Sequence, residues 1–408
     1  MIKELIGALS AKISSLFTSA GSTSDWNWQP VVGSDEELTE VLGQICDEFD
    51  QPAMSVAIIV GSDIIAKAAS GVCEYGMNTS VDISSRFHIG STTKSMTAML
   101  LSALVEDGSL SWEMTLDRLL PEIEMRNEYK QVSLHDLLVN RAGIVPFQQF
   151  GQDDPELTEK IWKEIPLGFA DPVQQRLEMA KVLLSAKPFV KPRTKAVYSN
   201  AGWAIAGLII DKITGSSYES ALRHKILDPL EMFETKVGGW PASPADLNQP
   251  RGHYPPEQGH YSKPKAQSLQ EDYVLPFWMN PSGGVHCSIS DLALYVQENL
   301  LGLKGEGKLL SRASYKTIHS IQVTAKMREM YIGLKSDADA SYGYGWAVVP
   351  VEGDLLSIAD GSGGTFFARL IVFPPLNAAF CGLTNCGNGA VALDWAIEKT
   401  TGFEWNSH

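Results

Sequence analysis

Residues Phe87–Gly108 read FHIGSTTKSMTAMLLSALVEDG. The stretch divides into a short strand (Phe87, His88, Ile89), a pivot at Gly90, and a helix that begins near Ser91 and stops at Gly108. Met96, Met99, Leu100, Ala103 and Leu104 recur at helical spacing, and small or apolar residues fill most other positions. A helix apolar nearly all round is a buried one. Ser91 and Lys94 lie three apart on its first turn and so share a face. That pairing suits an activated nucleophile. Desolvation lowers an amine's pKa, so Lys94 can be neutral and accept the serine proton. The helix dipole and free backbone N–H groups favour the negative charge that acyl transfer develops.

An S-x-x-K pair fixes only two positions, and about one match per chain of this length arises by chance. A second copy, Ser262–Lys265, makes the point. It contains Pro264 and lies in a polar, proline-rich segment, which does not suit a buried helix. Only the Ser91 copy has the strand, glycine and buried helix around it.

The composition narrows the possible partners. Acidic residues outnumber basic ones, 48 to 33, for a net charge of −15. Nucleic acid and anionic membranes need a basic footprint, so neither is expected as a partner. No segment approaches eighteen uninterrupted apolar residues, so no membrane span is expected. The five cysteines (Cys46, Cys73, Cys287, Cys381, Cys386) show no metal-type pairing, and reduced buried thiols are the expectation. The histidines show no ligand spacing either. No metal and no cofactor are expected, and the histidine positions suggest no chymotrypsin-like triad. At the N-terminus Ile2, Leu5, Ile6, Leu9, Ile13 and Leu16 give an amphipathic helical pattern, with Glu4 and Lys12 interrupting any secretory core. A retained arm and a cytoplasmic location are favoured over a cleaved signal and a periplasmic or secreted one.

In chain order, Ser34 and Glu37 form a capping box for a helix striped by Leu38, Val41, Leu42, Ile45 and Phe49. Ala53–Val60 and Ile64–Ala69 form a hairpin about Gly61-Ser62-Asp63. Ser133 with Asp136 caps a short helix. Helices are expected over Glu156–Ile165, Val173–Ala186, Ala201–Thr214 and Tyr218–Ile226, and from Ser288 to Leu301 with Gly302 as its stop. Gly238–Pro281 is the least regular stretch, and a loop of that length is usually a functional cover or disordered. Gly345–Val351, Leu355–Ala359, Phe366–Phe373 and Ala378–Thr384 read as strands, and Ala390–Lys399 as a last helix. With strands at both ends and helices between, the economical fold is α+β. One antiparallel sheet is built from both termini and flanked by helices, with a mostly helical region inserted. The division expected is an arm (1–33), a discontinuous sheet domain (34–140 with 281–408) and a helical and loop domain (141–280).

A serine nucleophile needs a base, a group to orient the base, and an oxyanion hole. Of twelve tyrosines, only Tyr198 belongs to a Y-x-N pattern, Tyr198-Ser199-Asn200, where an extended segment enters an apolar helix. A Tyr198 phenolate can share proton transfer with Lys94, and Asn200 can hold Lys94 and donate to a substrate carbonyl. Read by itself, the same tripeptide is more readily a core tyrosine followed by a helix cap at Ser199 or Asn200.

Taken together, FHIGSTTKS, LSWEMTLDRLLPEIE, VSLHDLLVNRAGI, VYSNAGWAIAGLIIDKITGSSYESALRHKILDPLEM, SGGVHCSISDLALYV and YGYGW resemble, in this order, the class C β-lactamase and penicillin-binding-protein-like serine hydrolases. That group also holds family VIII carboxylesterases, D-aminopeptidases and some acyltransferases. The resemblance covers about residues 35 to 400. It implies a β-lactamase/transpeptidase-like fold, Ser91 as nucleophile, Lys94 as its proton partner and Tyr198 as general base. The family's third motif, K-T-G or H-x-G on a strand, matches Ala359-Asp360-Gly361-Ser362, where the glycine and a small residue are kept and the basic side chain is lost. The resemblance then puts Gly361 and Ser362 at the substrate side, with the Ser91 and Ser362 N–H groups as oxyanion hole. Asn140 replaces a histidine common in the family. The expected activity is acyl-enzyme hydrolysis of small carboxylic esters. D-amino-acid peptidase or amidase, acyltransferase and β-lactamase activities are the alternatives on the same fold, and a non-catalytic ligand-binding descendant is the alternative class. Oligomeric state does not follow from these residues.

Overall fold

Two β-rich ends of the chain meet in one sheet. The hairpin of β1 (Ala53–Val60) and β2 (Asp63–Gly71) supplies one edge. The remaining strands come from the last quarter of the chain: β3 (Val323–Lys326), β4 (Asp339–Tyr342), β5 (Ala347–Val351), β6 (Asp354–Ser362), β7 (Phe367–Phe373) and β8 (Ala378–Thr384). Their order is β2-β1-β8-β7-β6-β5-β4-β3, antiparallel throughout. The closing pair is β1 with β8, in continuous register from Met54 opposite Thr384 to Val60 opposite Ala378. This computed structural model describes residues 28–148, 153–165, 171–238, 248–256, 263–268, 275–351 and 354–403. The N-terminal amphipathic pattern, Ser262 of the second S-x-x-K copy, and Tyr261 and Tyr273 of the long loop lie outside the described residues.

Every residue of β7 and β8 is buried, as strands covered on both faces must be. On one face, α1 (Asp35–Glu48) and the C-terminal helix Ala390–Thr401 bury Leu38, Leu42, Leu393 and Ile397 against Val56, Ile58, Ile371 and Phe380. On the other lie α2 (Thr93–Glu106), α3 (Asn200–Thr214) and α4 (Ile289–Lys304), packed in one core with Ala57, Leu370, Val372 and Cys381.

Several boundaries differ from the sequence reading. The strand before Gly90 is only Phe87–His88, and it pairs with Val285–Cys287 rather than with the large sheet. Gly90–Thr92 forms a 3-10 turn, so the α-helical turns start at Thr93. The Ser34 hydroxyl accepts from Glu37 N–H as a cap should, but the Glu37 carboxylate takes Gly33 N–H at 2.8 Å, one residue earlier than a capping box places it. α4 runs through Gly302 to Lys304 and ends on Gly305 in a left-handed conformation, because Gly302 makes room for the Tyr315 ring rather than for a turn. The strand expected over Leu355–Ala359 runs on to Ser362 as β6, with Ala359–Ser362 in register with Phe367–Leu370. Strands β3 and β4, too short and polar to stand out, were not anticipated.

Candidate active site

Gly90 is the hinge on which the site is assembled. Its φ is +51°, a left-handed conformation that glycine adopts without cost. A Cβ added there would lie 2.4 Å from Ser362 N and 2.9 Å from the Gly361 carbonyl carbon. The contact is reciprocal: a Cβ on Gly361 would lie 2.0 Å from Ile89 O and 2.6 Å from Thr92 N. Two bare backbones are therefore pressed together, and the Ser91 turn lies directly on the end of β6. Thr92 Oγ1 donates to Ala359 O at 3.3 Å, fastening the same strand two residues further back.

From this turn the first helical residues project into a buried polar cluster. Lys94 is 1% exposed. Its Nζ reaches Ser91 Oγ at 3.1 Å, Asn200 Oδ1 at 2.8 Å and Ser282 O at 2.7 Å; the last two accept both N–H donors of a neutral amine, which leaves its lone pair facing Ser91. Burial pulls the Lys94 pKa well below the usual lysine value. No carboxylate is hydrogen-bonded to the Lys94 amine among the described residues.

Tyr198 is half-buried, and its ring lies 4.8 Å from Lys94 Nζ. Burial raises its pKa, the nearby Tyr331 adds to the rise, and a hydrogen bond with the Ser91 side chain opposes it. Tyr198 therefore rests as a neutral phenol. That differs from the phenolate considered from sequence, because a phenolate would lose its hydration in this enclosure.

Asn200 begins α3 and donates through Nδ2 to Phe147 O at 2.8 Å, which orients Oδ1 toward Lys94. Ser199 is the N-cap, its hydroxyl accepting from Gly202 N–H. Asn140, with φ of +61°, accepts from Ser199 N–H at 3.1 Å and from Val197 N–H through its carbonyl. It thus fixes the backbone on both sides of Tyr198.

The six residues singled out from sequence fall into two groups. Ser91, Lys94, Tyr198 and Asn200 are linked directly, whereas Gly361 and Ser362 meet the group through the backbone at Gly90. Ala359 is buried, and its side chain joins the core on the side of the sheet that also takes Ile89 and Tyr198. Three contributors were missed. The Ser282 carbonyl carries no side-chain signature. Tyr331 and Tyr342, whose rings lie 5.4 Å and 6.4 Å from that of Tyr198, were given no site role, although Tyr342 opens the YGYGW segment. Gln148 ties the Tyr198 and Tyr331 segments together by donating to Tyr198 O and Met330 O and accepting from Ile332 N–H. Only a fold could bring residues 148, 198 and 331 side by side.

With the geometry established, comparison with known proteins gives a consistent answer. A family model described as beta-lactamase matches residues 42–399. The unguisins hydrolase ungD' of Aspergillus campestris (strain IBT 28561) is 26% identical over 398 residues, covering 91% of this chain and 67% of the relative. Penicillin-binding protein 4 of Amycolatopsis lactamdurans is 26% identical over 349 residues, covering 83% of this chain and 82% of the relative. Among solved structures, the octameric penicillin-binding protein homologue from Pyrococcus abyssi superposes with a TM-score of 0.68 at 23% identity, over 91% of this chain and 80% of its own. That likeness speaks to the fold, and the family match spans nearly the whole chain. The protein is an enzyme of the beta-lactamase family of serine hydrolases, with penicillin-binding-protein-like relatives.

Proposed function

We propose that the protein hydrolyses small carboxylic esters through an acyl-enzyme on Ser91, with Lys94 and Tyr198 acting as one proton-transfer unit. The observation that carries this reading is Lys94 Nζ, held 3.1 Å from Ser91 Oγ by two further acceptors in a site that depresses its pKa. A neutral amine takes the Ser91 proton as Oγ attacks the substrate carbonyl carbon. The Tyr198 phenol, hydrogen-bonded to Ser91, then passes a proton to the leaving alkoxide and recovers one through Lys94. In the second half the same unit takes a proton from water, which attacks the acyl carbon and returns Ser91. The Ser91 and Ser362 N–H groups serve as the oxyanion hole, a device that needs no side chain at 359.

Neutral esters are preferred over substrates with a carboxylate beside the scissile bond, because Ala359 offers such a group no cation. Five buried, unpaired cysteines favour the cytoplasm.

Ser91→Ala tests the reading. The variant should keep its thermal transition, lose fluorophosphonate labelling, and lose at least about a thousandfold in kcat on p-nitrophenyl esters. In the wild type kcat/KM should rise with pH as Lys94 loses its proton, with a midpoint below the usual lysine value. Unchanged turnover in Ser91→Ala would overturn the assignment. D-amino-acid amides and nitrocefin in the same screen separate the ester reading from its alternatives.

A further inference from the structure

Behind the site lies a buried ionic cluster with no part in the chemistry described so far. Arg176, 1% exposed, sits on the helix Pro172–Ser185. It grips Asp211 of α3 through Nε at 2.7 Å and Nη2 at 2.9 Å, and Glu219 through Nη1 at 2.8 Å and Nη2 at 3.0 Å. One guanidinium thus holds two carboxylates, each bidentate, the strongest geometry such a pair has. Arg176 Nη1 also donates to Phe277 O at 3.2 Å, and the adjacent Gln175 accepts from Trp278 N–H at 2.8 Å.

Glu219 reaches one step further. Its Oε1 accepts from Asn280 Nδ2 at 2.7 Å, and Asn280 opens the one-turn helix Asn280–Gly283 that contains Ser282. Thr97 of α2 holds the same turn by donating to Pro281 O at 2.7 Å, with the Tyr218 hydroxyl on its other side at 2.8 Å. Tyr218 N–H in turn donates to Asp211 at 2.6 Å, which closes the circuit. The turn ends in the Ser282 carbonyl, 2.7 Å from Lys94 Nζ.

We infer that Arg176, Asp211, Glu219 and Asn280 are positioning residues that set the Ser282 carbonyl on Lys94, and so fix both the place and the basicity of that amine. A buried charge cluster is a poor way to gain stability, since apolar side chains of the same volume do as well or better. Its use here is directional: a bidentate clamp defines where Phe277–Ser282 lies in a way that apolar packing would not. Burial raises the Asp211 pKa to about 6, while Arg176 holds the Glu219 carboxylate below the usual range, so the carboxylate bonded to Asn280 stays ionised at neutral pH. A carbonyl acceptor favours the ammonium over the amine, so withdrawing it lowers the Lys94 pKa further.

This inference rests on Lys94 as the base, and Asn280→Ala tests it, because it cuts the link to the turn while leaving the ion cluster intact. On a p-nitrophenyl ester the variant should lose about tenfold in kcat with KM changed less than about twofold, the loss of one well-placed hydrogen bond. The acidic limb of its pH–rate profile should move to lower pH. A merely structural role would scale the rate equally at every pH, so an unmoved limb, or one moved to higher pH, overturns the inference. Thr97→Val releases Pro281 O of the same turn without touching the ion cluster. It should move the acidic limb in the same direction, and a limb left in place in folded protein also overturns the inference. Wild-type fluorophosphonate labelling, lost in Ser91→Ala, is measured alongside. Its absence would sink the serine hydrolase reading itself, whereas its presence with an unmoved limb sinks only the positioning role.

Discussion

Ala359 puts a methyl group where the family resemblance calls for lysine or histidine, on a strand whose end lies against the Ser91 turn. Its carbonyl is bonded to Thr92, and its side chain faces the core on the same side as Tyr198 and Ile89. The strand end thus lies where the resemblance puts the third motif, without the basic side chain that the resemblance calls for. In Ala359→Lys we expect kcat/KM for esters carrying a neighbouring carboxylate to rise relative to neutral esters. A desolvated charge-assisted contact contributes about 1.5–3 kcal/mol, so preference should shift roughly tenfold to a hundredfold. Competition between paired neutral and anionic esters measures it, and equal effects on both would show that residue 359 does not face the substrate. Ser91, Lys94, Tyr198 and Asn200 were each legible from sequence because their residue types are the chemistry. Ser282 was not, because it contributes only a carbonyl, which every residue has.

At the scale of elements, the contact between the Gly90 turn and the end of β6 joins two segments separated by some of the longest stretches of chain. It requires glycine on both sides. Gly90→Ala would put a side chain into a left-handed conformation, at about 1–3 kcal/mol of strain, and drive Cβ into Ser362 N. The expected result is a lower denaturant midpoint together with a loss of kcat larger than the folded fraction explains, since the two strand ends must separate. Wild-type kcat per folded molecule would show that their spacing does not matter. Periodicity located α2 within two residues at each end and α3 within one, because a buried helix writes its spacing into every turn. It failed for the end of α4, where Gly302 serves packing against Tyr315. It stopped β6 short at Ala359, since Asp360-Gly361-Ser362 has no apolar alternation and only pairing with β7 keeps it extended.

For the whole molecule, the buried histidines set the response to acid. Burial lowers His88 to about 4 and His319 to about 3, takes His286 well down, and lowers His253. In the unfolded chain each takes a proton near pH 6.5, whereas in the native protein it stays neutral. Between about pH 6.5 and 5 these groups therefore bind more protons in the unfolded state, so their contribution to stability is complete above about 6.5 and is lost as pH drops toward the native values. Each such histidine contributes a slope of about 1.4 kcal/mol per pH unit in its window. Asp211, raised to about 6, works in the opposite sense and offsets about one of them. Urea unfolding at pH 7, 6 and 5 should show the midpoint falling at each step, and a flat midpoint would mean that these imidazoles are already charged in the native protein.

The sequence by itself determined the order of elements, the sheet shared by both chain ends, and four side chains of the candidate site, because hydrophobic period and residue type are local properties. Tertiary structure alone decided how close those groups stand, that burial raises the Tyr198 pKa, and that the Ser282 carbonyl lies on Lys94 with an ion cluster around Arg176 linked to the same turn. Those depend on desolvation and on distances between residues far apart in the chain. Neither exists until the core closes around them.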